Sequence, residues 1–377
     1  MSSRIKSIPL FQDLQPVRDL VMAYGWNATA YQIINPGFLH WFAAAQDAVV
    51  GYVEHAKVRV VAGAPVCTRA RLSEVVAEFE SDTTRVGSRV CYFGAEARLE
   101  SVLGNSLRHS KLQLGAQPAW HPCQWPAIYN HHASLRAQLN RARNKGVTIK
   151  EWTAEESYGH TALNRCLDEW LATRGLPPMH FLVEPQTLER LFDRRIFVAE
   201  RQGKAIGFLV ASPVPQRNGW LIEQTIRGTG AVNGMIELLI DTAVRSMAES
   251  ASDYVTLGLS PLSLHCIANS TDSSFWLRAV LTWLRLHGRR FYNFDGLDRF
   301  KAKFQPERWE PVFAIANEPR FSPRSLYAIA AAFTAGAPFI AISQAVWRAV
   351  IGELNGLINR RAQAQVRGLR RTFFISL

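Results

Sequence analysis

Apolar residues at Leu10, Leu14, Val17, Leu20 and Val21 share one stripe of a 3.6-residue period, which predicts an amphipathic helix over residues 10–24. Three short β-rich runs follow, Leu39–Phe42, Val49–Val53 and Val58–Val61. Polar residues at Gln46-Asp47 and His55-Ala56 part them, so they read as a three-stranded meander that ends at Gly63–Pro65. A helix from Leu72 to about Phe79, a strand at Arg89–Phe93 and a helix at about Ala95–Leu103 complete an α+β unit. Residues 109–132 are rich in Pro, Trp and His and read as a linker. Its histidines lack i, i+4 spacing or nearby carboxylates, so no metal site is expected there.

Leu135 and Leu139 then place a helix over Ser134–Lys145, capped by Ser134 and stopped by Gly146. Val147–Trp152 reads as a strand, Thr161–Thr173 as a helix, and Ile196–Glu200 with Ala205–Ser212 as a hairpin about Gln202-Gly203. The stretch 220–262 predicts a strand to Ile226, a helix opening near Asn233 and a second strand over Tyr254–Leu259. Apolar positions from Trp276 to Leu284 predict another helix, Asp272–His287. Residues 325–347 carry no charge, a length that could just span a bilayer, but they are Ala-rich and broken by Gly336 and Pro338. With the basic stretch that follows, they read as a helix lying in a membrane interface, the alternatives being a span or a core helix.

Charge sharpens this picture. The chain has a formal net charge of +12, which favours an acidic partner such as nucleic acid or an anionic lipid surface. The surplus is local: residues 101–150 hold seven Lys/Arg and no acid, and residues 320–377 hold eight Arg against Glu353 alone. Five scattered cysteines without a C-x-x-C pair argue against a disulfide framework and a zinc site, and suit a reducing cytoplasm. Residues 1–30 show no apolar run of signal-peptide length.

Candidate chemistry concentrates at the strand–helix junction of residues 220–262. Arg227 ends the strand and Asn233-Gly234 opens the helix, so a cation and free backbone N–H groups meet at one mouth suited to an anion or a developing oxyanion. Arg136, Arg141, Arg143 and Lys145 crowd the Ser134–Lys145 helix without an acid, which suits either phosphate contact or a solvated face. No GxGxxG, P-loop or acyl-CoA pyrophosphate loop is present, and no cofactor is expected.

Four pieces occur in order: I-E-x-x-I-R at 222–227 followed six positions later by Asn233-Gly234, E-L-L-I-D at 237–241, G-L-S-P-L at 258–262, and F-Y-N-F-x-G-L-x-R-F-K-x-K-F-x-P-x-x-W-E-P at 291–311. In these the chain resembles the catalytic C-terminal domain of the phosphatidylglycerol lysyltransferases, the aminoacyl-phosphatidylglycerol synthases. The resemblance covers roughly residues 37–315 and is strongest in the second half. It implies an α/β (α+β) fold of tandem GNAT-like, that is acetyltransferase-like, domains: a degenerate one over 1–132, a catalytic one over 133–318, and a helical tail over 319–377. It also implies transfer of lysine or another amino acid from aminoacyl-tRNA to a hydroxyl of phosphatidylglycerol or a similar lipid, at the cytoplasmic face of a bacterial inner membrane. Carried residue by residue, Glu223, Arg227, Glu237 and Lys303 would be catalytic. Gln224, Asn233, Gly234, Ser260, Arg299 and Lys301 would bind substrate, and Arg136, Arg141, Arg143 and Lys145 would contact tRNA or phosphate. Relatives commonly read E-D-x-x-R where this chain has Gln224, so the base role falls to Glu223. The multi-helix flippase half of full-length relatives is not present, which implies a separate flippase. Fem-like transfer to another acceptor, or non-catalytic binding of lipid or RNA, are the alternatives.

Overall fold

The computed structural model describes residues 12–174, 178–263, 265, 294–334 and 336. The expected meander forms as β1 (Leu39–Phe42), β2 (Val49–His55) and β3 (Val58–Ala62), paired antiparallel in turn. Helix α1 (Gln15–Tyr24) precedes it and buries Val17 and Val21. From β3, helix α2 (Leu72–Arg85) carries the chain to β4 (Arg89–Ala95), which lies parallel to β3. After α3 (Ala97–Leu103) come β5 (Ser110–Trp120), α4 (Trp125–His131) and α5 (Ala133–Asn144).

The second half repeats the scheme. Strands β6 (Val147–Trp152), β7 (Arg195–Arg201), β8 (Lys204–Val214) and β9 (Gly219–Arg227) run antiparallel, with α6 (Ala154–Ser157) and α7 (Thr161–Ala172) between β6 and β7. The β7–β8 turn places Gln202 and Gly203 both at positive φ, as a two-residue hairpin with right-handed twist requires. Helix α8 (Met235–Glu249) then leads to β10 (Tyr254–Thr256), parallel to β9 as β4 is to β3. This is the tandem acetyltransferase-like arrangement. The short β11 (Ser260–Pro261) leans on β5, and α9 (Phe294–Ala302), β12 (Arg308–Ala316) and α10 (Pro323–Phe333) follow. Because β12 inserts between β4 and β5, and β5 pairs with β10, the strands join one sheet in the order β1-β2-β3-β4-β12-β5-β10-β9-β8-β7-β6.

Residues 110–120 are therefore not linker but the central strand of the sheet. Pro118 and the polar Gln113 and Gln117 hide it, because a strand interior normally lacks proline. The Pro118 carbonyl accepts from Thr256 Oγ1 at 2.7 Å, and Gly115 lets β11 approach where a Cβ would lie 2.2 Å from the Ser260 carbonyl oxygen. His131 ends α4, and His132, not Ser134, is the N-cap residue of α5, with no side-chain capping bond.

Helices cover the sheet in clusters. In the second half α4, α5, α8 and α9 pack Trp120, Trp125, Leu139, Leu239 and Phe304 together, with Trp125 and Phe304 stacked at 5.8 Å. A separate cluster joins α7 to Phe208, Val210 and Ile226 of β8 and β9. In the first half α10 buries Ser325, Ala328, Ala331 and Ala332, and its Phe333 packs edge-on to Phe93 and Phe181. The first part of the uncharged run, to Phe333, thus belongs to the core rather than to a membrane interface. No described helix is long and apolar enough to cross a membrane. The expected helix Asp272–His287, Cys266 and the basic stretch from Arg348 onward lie outside the described residues.

Helix α8 begins under steric control. Gly234 sits at φ +90° against α5, and a Cβ there would lie 2.1 Å from the Gln138 carbonyl oxygen. Gly234→Ala should lower the unfolding free energy by roughly 1–3 kcal/mol, from left-handed backbone strain together with the clash. Urea titration would measure it, and an unchanged midpoint would show that α5 can retreat freely.

Candidate active site

Parallel strands β9 and β10 end on the same side of the sheet, and the crevice beyond such carboxyl ends is where α/β folds collect binding groups. Arg227 is the last residue of β9. It pairs in register with Gly207, whose absent Cβ would meet the Met235 side chain at 2.6 Å, so this pair's face looks on the first turn of α8. Arg227 is exposed, and its side chain has no hydrogen-bond or ion-pair partner among the described residues.

That first turn carries Glu237, which is buried and paired with Lys303 Nζ at 2.8 Å. Lys303 reaches it from just beyond α9, donates also to Gln138 Oε1 at 3.1 Å, and lies 5.3 Å from the Phe300 ring centre. An ammonium has three donors, so one N–H of Lys303 remains for a ligand.

Lys301 points elsewhere. It is 5% exposed, and its Nζ donates at 2.8 Å to the carbonyls of both Gly258 and Leu259. Burial brings its pKa down from the ordinary lysine range to about 7, against the opposing pull of Asp298. A neutral amine has two N–H bonds, enough for both carbonyls, and keeps its lone pair free as a proton acceptor. Beside it the buried Ser260 Oγ donates to Asp298 Oδ1 at 2.8 Å, and His265 Nε2 approaches Asp298 Oδ2 at 3.1 Å.

Glu223 does not join this group. Its side chain is 2% exposed and forms a 3.1 Å ion pair with Arg194, whose own side chain is 0% exposed. Arg194 is fixed further by Asn35 Oδ1 at 2.8 Å and by the Tyr31 ring, 4.9 Å away. The carboxylate is held by a buried cation. Gln224 anchors a loop instead: its amide donates to the carbonyls of Glu184 (2.6 Å) and Pro185 (3.2 Å) and accepts from Thr187 Oγ1 at 2.9 Å. An aspartate has no donor for those carbonyls, so glutamine here has a structural reason. Asn233 is exposed, and Arg299 bonds the Asp295 carbonyl on the outside of α9.

The basic helix also divides. Arg136 caps the Tyr129 and Asn130 carbonyls of α4, and Arg143 pairs with Asp241 at 3.3 Å. Arg141 and Lys145 are exposed, and their side chains have no partner among the described residues. The neighbours absent from the sequence reading are Gln138, Arg194 and Asp298. Asp298 had a local signal, because it lies three residues before Lys301 on one helix. Arg194 had none.

Residues 18–316 match the family model described as phosphatidylglycerol lysyltransferase, C-terminal. The chain belongs to this family. Curated members include phosphatidylglycerol lysyltransferases of Staphylococcus xylosus, 24% identical over 279 residues, and of Bacillus subtilis, 22% identical over 269 residues. These alignments cover 72% and 71% of this chain but only 32% and 31% of those proteins, so the chain spans about a third of the length of the curated relatives it matches. Among solved structures, the C-terminal domain (DUF2156) of an Agrobacterium fabrum protein described as a lysylphosphatidylglycerol synthetase superposes with a TM-score of 0.73 at 20% identity, over 86% of this chain and 98% of that one. L-PGS from Bacillus licheniformis gives 0.68 at 19% identity, over 92% and 99%. These likenesses establish the shared family fold.

Proposed function

We propose that the protein transfers an aminoacyl group from aminoacyl-tRNA to a hydroxyl of phosphatidylglycerol. The observation that carries this reading is the Glu237–Lys303 pair on the first turn of α8, with the exposed Arg227 at the end of β9 on the sheet face that looks on the same turn, in a chain of this family. Acyl transfer needs a proton acceptor for the attacking hydroxyl and donors for the tetrahedral oxyanion. In this reading the Lys301 lone pair takes the hydroxyl proton as the lipid oxygen adds to the ester carbonyl. The free N–H of Lys303 and the Arg227 guanidinium then face the oxyanion. Collapse expels the 3′-terminal ribose oxygen of the tRNA, which takes the proton back from Lys301. Arg141 and Lys145 are the cations free to meet tRNA phosphates. The two repeats act as one first-half domain and one catalytic domain, and the enzyme works at the cytoplasmic face of the membrane where both substrates meet.

Incubation with charged tRNA and phosphatidylglycerol vesicles, followed by mass spectrometry of the lipids, tests the reaction. An aminoacylated lipid that appears only with charged tRNA is expected, and unmodified lipid across the full set of charged tRNAs would overturn the proposal. Arg227→Ala should leave the melting curve unchanged and slow transfer roughly a hundredfold, the usual consequence of losing one donor to an oxyanion. Turnover within twofold of the parent would remove Arg227 from the mechanism.

A further inference from the structure

The strand pairings bring several loops of the first repeat to one end of the sheet. Strand β12 ends at Ala316, which pairs with Cys91 of β4 and with Ser110 of β5, so the segments that enter β4 and β5 flank that end. The β2–β3 turn lies beside them, because Val58 at the start of β3 pairs with Arg89 at the start of β4. Leu39, the first residue of β1, pairs with Tyr52 near the close of β2 and so joins the same end. Strand β10 runs antiparallel to β5 and parallel to β9, which brings Arg227, the last residue of β9, to this end as well. In the sheet order β1 and β5 are five strand spacings apart, about 24 Å.

Four of the seven exposed large apolar side chains among the described residues gather here: Leu39, Val86, Val102 and Leu107. Val86 stands just ahead of β4, Leu107 just ahead of β5, and Val102 in the last turn of α3. Leu107 is 95% exposed and Val86 61%, so neither contributes to the core. Single exposed apolar residues are ordinary, but a group of them at one end of a molecule marks an interaction surface. The acids of this end are taken up: Glu318 by Arg89 at 2.6 Å, Asp82 by Arg85 at 3.1 Å and Glu54 by Arg59 at 3.3 Å. Lys57, Arg108 and Arg320 are exposed, and their side chains have no partner among the described residues. Nucleic-acid phosphates would answer these cations but leave Val86 and Leu107 in water. An anionic bilayer answers both, with cations at the headgroups and apolar tips at the acyl boundary.

We propose that this end of the first repeat rests on an anionic lipid bilayer, with Val86 and Leu107 entering the headgroup boundary and Lys57, Arg108 and Arg320 on the lipid phosphates. The face deepens the transfer reading and rests on it for its purpose, since a lipid acceptor has to reach Arg227 at the same end of the sheet, but it is tested without turnover. Cosedimentation of the full chain with phosphatidylcholine vesicles, with and without phosphatidylglycerol, measures the docking. Binding should require phosphatidylglycerol and weaken as salt rises. The double variants Val86→Ser with Leu107→Ser, and Lys57→Gln with Arg108→Gln, should each lower vesicle affinity at least tenfold, since one cation near an anionic surface is worth about fivefold. Their melting curves should match the parent's, because all four side chains are exposed. No binding by the parent, or parent-like binding by both double variants, overturns the face. If those variants keep vesicle binding and lose tRNA binding instead, the surface belongs to RNA and the membrane assignment falls. Vesicle binding that depends on these residues in a chain showing no transfer keeps the face and removes the reaction. Transfer to phosphatidylglycerol by a chain whose vesicle binding ignores them does the reverse.

Discussion

Glu223→Ala should cost about 3–5 kcal/mol of unfolding free energy, the range seen when one member of a buried ion pair is removed and the other stays behind. The expectation follows from burial rather than from the attraction itself. Arg194 and Glu223 have side chains 0% and 2% exposed, so the arginine left alone can neither reach water nor lose its proton. Asn35 and the Tyr31 ring remain as partners, yet neither carries a negative charge under ordinary conditions. Domains are stable by only about 5–15 kcal/mol, so the variant should be partly unfolded at 37 °C. The double replacement Glu223→Leu with Arg194→Met removes both charges and should recover most of the loss, because apolar residues of similar volume often substitute for a buried pair without penalty. Urea unfolding of the two variants decides the matter. If Glu223→Ala kept the parent's stability and lost only transfer, Glu223 would be a catalytic base after all.

The contrast between Glu223 and the rest of its strand explains what the sequence could and could not convey. Local patterns were legible: the β1–β3 meander, the β7–β8 hairpin and the β9–α8–β10 unit all rest on periodicity or turn chemistry within a few residues. Strand β5 was not, because Pro118 breaks the local strand pattern and Gly115 obeys a constraint set by Ser260, well over a hundred residues away. The motif run marked the right region for Glu237 and Lys303, which meet at 2.8 Å. It could not assign roles, since those depend on distant partners: Arg194 neutralises Glu223, and the loop at 184–187 occupies Gln224. One distinction was available in principle. Lys301 and Lys303 are two positions apart, and on a helix such residues point to different faces. Hence Lys303 reaches α8 and α5 while Lys301 turns toward the carbonyls after β10.

Lys301→Met should reduce transfer by roughly a thousandfold, within the range expected when a positioned proton acceptor is lost, and should also remove a pH dependence. In the parent the amine accepts a proton only when neutral, and its pKa is brought down to about 7, so transfer should rise as pH passes through about 7 and level off above it. Stability should follow the same group with a definite sign. The lysine is lowered in the folded chain from 10.5, so between about 7 and 10.5 the unfolded chain holds a proton that the folded chain does not. Stability therefore increases with pH across that window, by up to about 1.4 kcal/mol per pH unit from this one group. Below pH 7 the folded chain carries a buried ammonium at full cost, and methionine avoids it. Above that pH the parent gains while the variant, lacking donors for Gly258 and Leu259, does not. The destabilisation caused by Lys301→Met should thus grow from pH 6 to pH 9 in urea titrations. Lys303→Met, which breaks the Glu237 pair and leaves Lys301 in place, should slow transfer but keep the rise near pH 7. If the rise persists in Lys301→Met and vanishes in Lys303→Met, the proton acceptor is not Lys301 and the roles of the two lysines are reversed.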